Sequence, residues 1–186
     1  MAAPNNPGFL RQAGDFSNWN VYRKSVIISD VTELFVRRHM TYSKKTEEQM
    51  RQAARSCKQN IVEGVTDGAV SVELCIKLLG VAKGSLRELL EDYGDFLRQN
   101  GLETWAPTDP RTRQTRRYCK ADNDPATFVK KCSERSAETI ANIMLTQCRQ
   151  LDTMLSAVLR RVERDFLASG GIKEKMSATR RQLRGD

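Results

Sequence analysis

A chain of 186 residues is long enough for one domain with a buried core. Its composition, 39% hydrophobic and 29% charged, is typical of a folded protein with a charged helical surface and excludes a disordered chain. No apolar run is long enough to span a bilayer, and the first residues lack the basic and apolar regions of a signal peptide, so we expect a cytoplasmic protein without membrane contact.

The net charge of +8 is unevenly distributed along the chain. Residues 1–110 contain 14 Lys/Arg and 14 Asp/Glu, whereas residues 111–186 contain 17 Lys/Arg and 9 Asp/Glu. A basic region that follows a neutral one indicates a surface that meets a polyanion.

The first two helices are predicted from hydrophobic spacing and from their end signals. Residues 1–14 are rich in proline and glycine and are expected to form an irregular arm, and the first helix should begin near Ser17. A capping box from Thr46 to Gln49 predicts the start of the second helix. Gly64 is expected to take the left-handed position just after its end.

The later helices have equally clear boundaries. Ser71 is a good N-cap for a long third helix, which Asn100-Gly101 ends. Asp-Pro pairs at 109–110 and 124–125 predict two short helices, near 110–120 and 125–132. A fourth long helix runs to Gly170-Gly171.

Four long amphipathic segments without a convincing strand predict an all-α fold. We expect an antiparallel up-down four-helix bundle over residues 15–171, with a short helical excursion between helices 3 and 4. Residues 172–186 form a basic C-terminal tail in this scheme.

Small and polar residues in the second and third helices suggest close helix contact. Gly80 and Gly84 are four residues apart, and each glycine costs about 1 kcal/mol against alanine in a helix, so we expect a neighbouring backbone to approach them closely. Asn60, Glu63 and Ser85 should then form a local polar network. We favour this structural role over contact with a ligand, which remains the alternative.

The same segments resemble a known family. "AARSCKQNIVEG" and "VAKGSLRELLEDY" are similar to the four-helix-bundle family of ribosomal RNA intervening-sequence proteins, in particular to its suffix-domain branch, which shares "ETIAN" at 138–142. Val62 replaces the usual alanine of that pattern, and Lys58 stands where many members have proline. The matching positions are Ser56, Asn60, Ile61, Glu63, Gly64, Ala82, Gly84, Ser85, Leu86, Glu88 and Leu89.

The resemblance covers about residues 9–180 and carries functional expectations. The family includes the accessory variability determinant of diversity-generating retroelements, a basic homopentameric bundle that joins a reverse transcriptase and its template RNA. The resemblance therefore implies a homopentamer with a reverse transcriptase and RNA as partners, although one fold hosts many functions.

Signals for catalysis are weak. The single histidine, His39, is expected to be a solvated residue in the last turn of helix 1. No Glu-x-x-His pair, phosphate-binding loop or GxGxxG motif occurs, and no histidine stands in a recognisable relation to Cys57. We expect no enzymatic activity, no metal and no cofactor.

The cysteines also give no site. Their number is odd and no CxxC pair occurs, so neither a disulfide framework nor a zinc site is expected. We predict buried, reduced thiols at Cys57, Cys75, Cys119, Cys132 and Cys148.

The strongest functional signal is "RTRQTRRYCK", residues 111–120, with five cations and no acid. Helical spacing aligns several of these cations to meet phosphates, and Tyr118 is placed to stack on an unpaired base. A merely solvated face is an equal alternative. The predicted nucleic-acid contacts are Arg111, Arg113, Arg116, Arg117, Tyr118 and Lys120, then Arg160, Arg161, Arg164, Arg180, Arg181 and Arg184.

These features predict a non-enzymatic protein that binds RNA or DNA, and the resemblance implies an accessory role beside a reverse transcriptase. The alternative is a protein-binding scaffold whose basic face meets an acidic partner. A steep salt dependence of nucleic-acid affinity would distinguish the two.

Overall fold

The computed structural model describes residues 20–40, 43–67, 71–121, 124–169, 177 and 180–182. Six helices carry the chain from residue 20 to residue 169, and no described residue lies in a strand, which confirms the all-α prediction. The N-terminal arm, the helix start near Ser17, the Gly170-Gly171 stop and most of the tail lie outside the described residues. The helices are α1 (Asn20–His39), α2 (Lys44–Asp67), α3 (Val72–Gln99), α4 (Pro110–Ala121), α5 (Pro125–Ser133) and α6 (Ala137–Ser169).

The helices share one hydrophobic core. α1 packs on α2, α5 and α6, while α3 packs on α2 and α6, and α4 packs on α6. In the core, the ring of Phe35 meets those of Tyr93 and Phe96 edge-on, with ring centroids 5.0 and 4.8 Å apart. The hydroxyl of Tyr93 shares a hydrogen bond of 3.0 Å with that of Thr32. All five cysteines are buried thiols, as predicted.

The predicted caps of α3 and α5 are confirmed, but that of α2 is wrong. Ser71 accepts from the backbone N–H of Leu74 at 3.2 Å, and Asp124 accepts from that of Thr127 at 2.8 Å. α2, in contrast, begins at Lys44, because its cap lies three residues before the expected cap Thr46. Ser43 Oγ accepts from the backbone N–H of Thr46 at 3.3 Å, so Ser43 caps the helix and Thr46 lies inside it.

The glycines act differently from the prediction. α2 continues to Asp67, so Gly64 is a helical residue and does not occupy a left-handed position after the helix end. It is buried, and a Cβ there would lie 3.3 Å from the side chain of Leu79. Gly64 therefore permits the close approach that we expected at Gly80 and Gly84, where an added Cβ meets nothing within 4 Å.

A polar network joins α2 to α3, with different members from those predicted. The amide of Asn60 donates to the backbone oxygen of Ser56 at 2.9 Å and to its hydroxyl at 3.2 Å. The hydroxyl of Ser85 donates to the same Ser56 oxygen at 2.9 Å. Glu63 is exposed and makes no hydrogen bond to this network among the described residues, because it points away from the contact between the two helices.

Replacing Ser56 with alanine should lower the free energy of unfolding by about 1 kcal/mol. The change removes an oxygen that accepts from both Asn60 and Ser85, and the better helix propensity of alanine offsets part of that loss. Urea denaturation followed by circular dichroism measures the effect. The exposed control Glu63→Ala should unfold at the wild-type urea concentration, and a larger loss in that control would contradict the network as described.

Candidate nucleic-acid interface

The basic segment forms a helix, as predicted, and packs by its uncharged face. α4 spans Pro110–Ala121, with proline at its first position after Asp109. Its buried residues are Thr112 and Cys119. Burial of these two side chains fixes which side of the helix faces the protein, so the arginines are exposed.

The exposed cations form two adjacent rows along α4. Arg113 and Arg117 make one row, and Arg116 and Lys120 make the other, because residues four apart lie on one face of a helix. All four side chains are exposed, and none forms an ion pair in the part of the chain that the structure describes. Their positive charge is therefore available to an external anion.

Arg111 differs from these cations, because acidic neighbours neutralise it. Its guanidinium lies 2.7 Å from Glu103 and 2.7 Å from Asp109, and it covers the ring of Trp105 at 4.8 Å. The guanidinium lowers the pKa of Asp109 through a side-chain hydrogen bond. The structure thus places Arg111 in a clamp at the start of α4, where it is less available for phosphate contact than the other four cations.

The ring of Tyr118 already has partners. Its centroid lies 5.6 Å from that of Phe128, and the ammonium of Lys131 lies 4.4 Å from the ring centroid and donates to the Tyr118 hydroxyl. A base that stacks on this ring must therefore compete with Lys131.

Arg116 and Lys120, the inner row, line a groove of about 500 Å³ that α1 and α6 complete, whereas Arg113 and Arg117, the outer row, do not line it. Among the described residues that line it, four are cations and none is a carboxylate. The cations are Lys24, Arg116, Lys120 and Arg149. The sequence analysis did not include Lys24 or Arg149 among the candidate residues.

Lys24 is a buried cation at this groove. It is 3% exposed, and its Nζ donates to the backbone oxygen of Cys119 at 2.8 Å, to Gln147 Oε1 at 2.6 Å and to Gln150 Oε1 at 3.0 Å. These three acceptors are neutral, and burial lowers the pKa of Lys24. Gln150 also donates to the backbone oxygen of Arg116 at 2.9 Å. Lys24 and Gln150 therefore hold α4 by its backbone.

A sequence signal for Lys24 existed. It lies on the apolar face of α1, one turn before Ile27 and Ile28, where a lysine is unusual. Arg149, by contrast, carries no local signal, because only the packing of α4 against α6 brings it to the groove.

A second groove differs from the one beside α4, because carboxylates line it as well as cations. The space between α1 and α2, about 700 Å³, is lined by cations and carboxylates in equal number. Arg51 there pairs with Glu33 at 2.7 Å. The other charged lining residues are Asp30, Glu48, Arg55 and Lys58.

The remaining predicted contacts belong to segments other than α4. Arg160, Arg161 and Arg164 are exposed on α6, and the first of them is about 16 Å along the helix from Arg149. Arg180 and Arg181 are exposed, and Arg184 lies outside the described residues. Arg160, Arg161 and Arg164 do not line the groove beside α4.

Other chemistry is sparse in the described ranges. His39 is half-buried against Phe35, with ring centroids 5.4 Å apart, so the expectation of a solvated histidine is wrong. Burial, and then the charge of Arg38, lowers its pKa. Among the described residues, no group of three or more histidine, cysteine or carboxylate side chains is placed to hold a metal, and no helix is long and apolar enough to cross a bilayer.

Comparison with known proteins gives no match: no family model, no curated protein and no solved structure is significantly similar to this chain. The resemblance to the ribosomal RNA intervening-sequence proteins therefore stays a prediction from short motifs. The candidate interface rests on the geometry of α4 and its groove.

Replacing Lys24 with methionine should loosen α4. The side chain keeps its approximate length but removes the ammonium that donates to Cys119, Gln147 and Gln150. We expect faster hydrogen exchange of the α4 backbone amides, with α2 unchanged, as measured by mass spectrometry. The control is Lys83→Met, which removes a link between α3 and α6 to Asp152 and Ser156. Equal protection of α4 in wild type and Lys24→Met would contradict the anchoring role.

Proposed function

We propose that this protein binds nucleic acid without catalysing a reaction, through the basic surface of α4. The observation that carries the proposal is the pair of exposed rows, Arg113 with Arg117 and Arg116 with Lys120, which have no ion-pair partner in the described chain. Arg149 of α6 extends this surface across the groove.

The physical reason is the release of counterions from the phosphate backbone. Each phosphate that a lysine or arginine neutralises frees condensed cations, which favours binding and makes it depend on salt. Twelve residues of α4 extend about 18 Å, enough to meet several successive phosphates. Because arginine contacts with phosphate carry no base information, the binding should tolerate many sequences.

The fold that presents this surface is proposed to be an antiparallel up-down bundle of α1, α2, α3 and α6. Cross-helix contacts support it. Ser56 meets Ser85 while Gly64 lies beside Leu79, so residue numbers rise along α2 as they fall along α3. Lys24 meets Gln147 and Gln150, whereas Arg38 donates to Ser133, just before α6. These contacts support opposite directions for α1 and α6.

The family resemblance adds a homopentamer, a reverse transcriptase partner and its template RNA to the proposal. Light scattering after size exclusion tests the assembly directly. At micromolar concentration we expect a particle of about five times the 21.1 kDa chain mass. A particle of one chain mass would contradict the ring and leave nucleic-acid binding by the single chain to be judged on its own.

Replacing the outer row, Arg113→Gln with Arg117→Gln, should weaken binding to duplex DNA and flatten its salt dependence. Each lost phosphate contact reduces the slope of log K against log salt by ~0.9, so two contacts reduce it by nearly two units. Fluorescence anisotropy titrations at several salt concentrations measure the slope.

The matched control is Arg55→Gln with Arg87→Gln, two exposed arginines on α2 and α3. It has the same net charge as the outer-row variant but should retain the wild-type slope. An outer-row variant with unchanged affinity and slope would move the site to the tail, at Arg180 and Arg181. Wild-type protein that binds neither DNA nor RNA at low salt would favour the acidic-partner alternative.

A further inference from the structure

We propose that the groove between α1, α4 and α6 binds the terminal phosphate of a nucleotide. The ligand is a phosphomonoester, either of a free nucleoside monophosphate or of a 5′-phosphorylated strand end. The inference deepens the proposed function and rests on it: the outer row of α4 meets the phosphodiester backbone, and the groove takes the end of the strand.

The charge of the groove favours a monoester over a diester. Lys24, Arg116, Lys120 and Arg149 line the space, and no carboxylate of the described ranges lines it. A phosphodiester carries one negative charge, whereas a phosphomonoester carries about −1.5 to −2 near neutral pH. The doubly charged end therefore gains more from four uncompensated cations than an internal phosphate does.

Lys24 contributes through its charge. Its three donors are already used by the Cys119 carbonyl, Gln147 and Gln150, so it offers no further hydrogen bond without rearrangement. A buried cation with only neutral acceptors is unfavourable, and an anion nearby offsets that cost. The exposed side chains of Arg116, Lys120 and Arg149 supply the direct hydrogen bonds, and arginine forms them in pairs with phosphate oxygens.

The size and lining of the groove fit more than a phosphate ion. Its volume, about 500 Å³, falls within the ~300–1,000 Å³ of small-molecule sites. Met154 lines the groove with a flexible apolar side chain, and Thr112, Thr146 and Thr153 line it with small ones. This uncharged lining provides space for the sugar and base that follow the phosphate.

The experiment compares two single-stranded oligonucleotides of one sequence, labelled at the 3′ end, with a 5′-phosphate or a 5′-hydroxyl. We expect wild-type protein to bind the phosphorylated strand about tenfold more tightly, which corresponds to ~1.4 kcal/mol. Arg116→Gln with Arg149→Gln should abolish this preference. Arg113→Gln with Arg117→Gln, the matched pair outside the groove, should weaken binding of both strands and keep their ratio.

Two further arms distinguish the sources of the phosphate. Adenosine monophosphate should displace the phosphorylated strand from wild type and not from the groove variant. A lower affinity for adenosine monophosphate than for the phosphorylated strand would identify the strand end as the better ligand. Inorganic phosphate at the same concentration should displace less than adenosine monophosphate; equal displacement would overturn the nucleoside part. Lys120→Gln, with circular dichroism to confirm folding, gives a second groove variant.

The outcomes separate the two proposals. Equal wild-type affinities for the two strands would overturn the terminal-phosphate site and leave nucleic-acid binding intact. Binding of adenosine monophosphate without binding of any strand would overturn the proposed function and support the groove. A preference lost equally in both double variants would overturn the assignment of the site to the groove.

Discussion

The ammonium group of Lys24 determines where the basic surface lies. α4 packs mainly on α6, and its own buried side chains are only Thr112 and Cys119. Lys24 reaches from α1 to the last turn of α4 and to two glutamines of α6, and so ties three helices at one point. A cation at a helix C-terminus also interacts favourably with the helix dipole. The arginines of α4 point outward in a fixed direction because this contact fixes the helix that carries them.

Neutral acceptors make the burial of Lys24 both possible and unusual. Three neutral oxygens satisfy its donors, but they do not cancel its charge, and burial lowers its pKa. A carboxylate in this position would neutralise the groove and close it to anions. Gln147 and Gln150 accept hydrogen bonds from the ammonium without adding negative charge. They therefore satisfy its donors and leave the groove positively charged. The electrostatic potential of the groove stays positive, and the anionic ligand that we propose would neutralise it.

Much of the fold follows from local sequence, and the errors at the glycines come from tertiary packing. The caps at Ser71 and Asp124 and the proline starts of α4 and α5 depend on neighbouring residues, so they were predictable. Gly64 is needed because Leu79 of α3 packs against it. Gly80 faces open space, because no neighbouring atom lies within 4 Å of a Cβ placed there. The Thr46 box failed because Ser43 offers an equally good cap one turn earlier, and the chain starts the helix there.

In the candidate site, too, some features follow from local sequence and others depend on tertiary packing. Arginine spacing within α4 predicted its exposed rows, since helix geometry alone relates residues 113, 116, 117 and 120. The pairing of Arg111 with Glu103 depends on how the loop before α4 folds, and the occupied ring of Tyr118 depends on α5 lying beside α4. Arg149 enters the groove only through the α4–α6 contact. A lysine on the apolar face of α1 was the one available clue to the groove.

The stability of α4 itself depends on these distant contacts. Arg113 with Arg117 and Arg116 with Lys120 are like-charged pairs four residues apart, and each pair destabilises an isolated helix by ~0.2–0.5 kcal/mol. A segment of 12 residues is also too short to be a stable helix in water. The Arg111 clamp at its start and the Lys24 contact at its end compensate for both deficits. The protein thus keeps a self-repelling helix folded before any anion arrives, and an anion that binds there relieves a repulsion that the fold has already overcome.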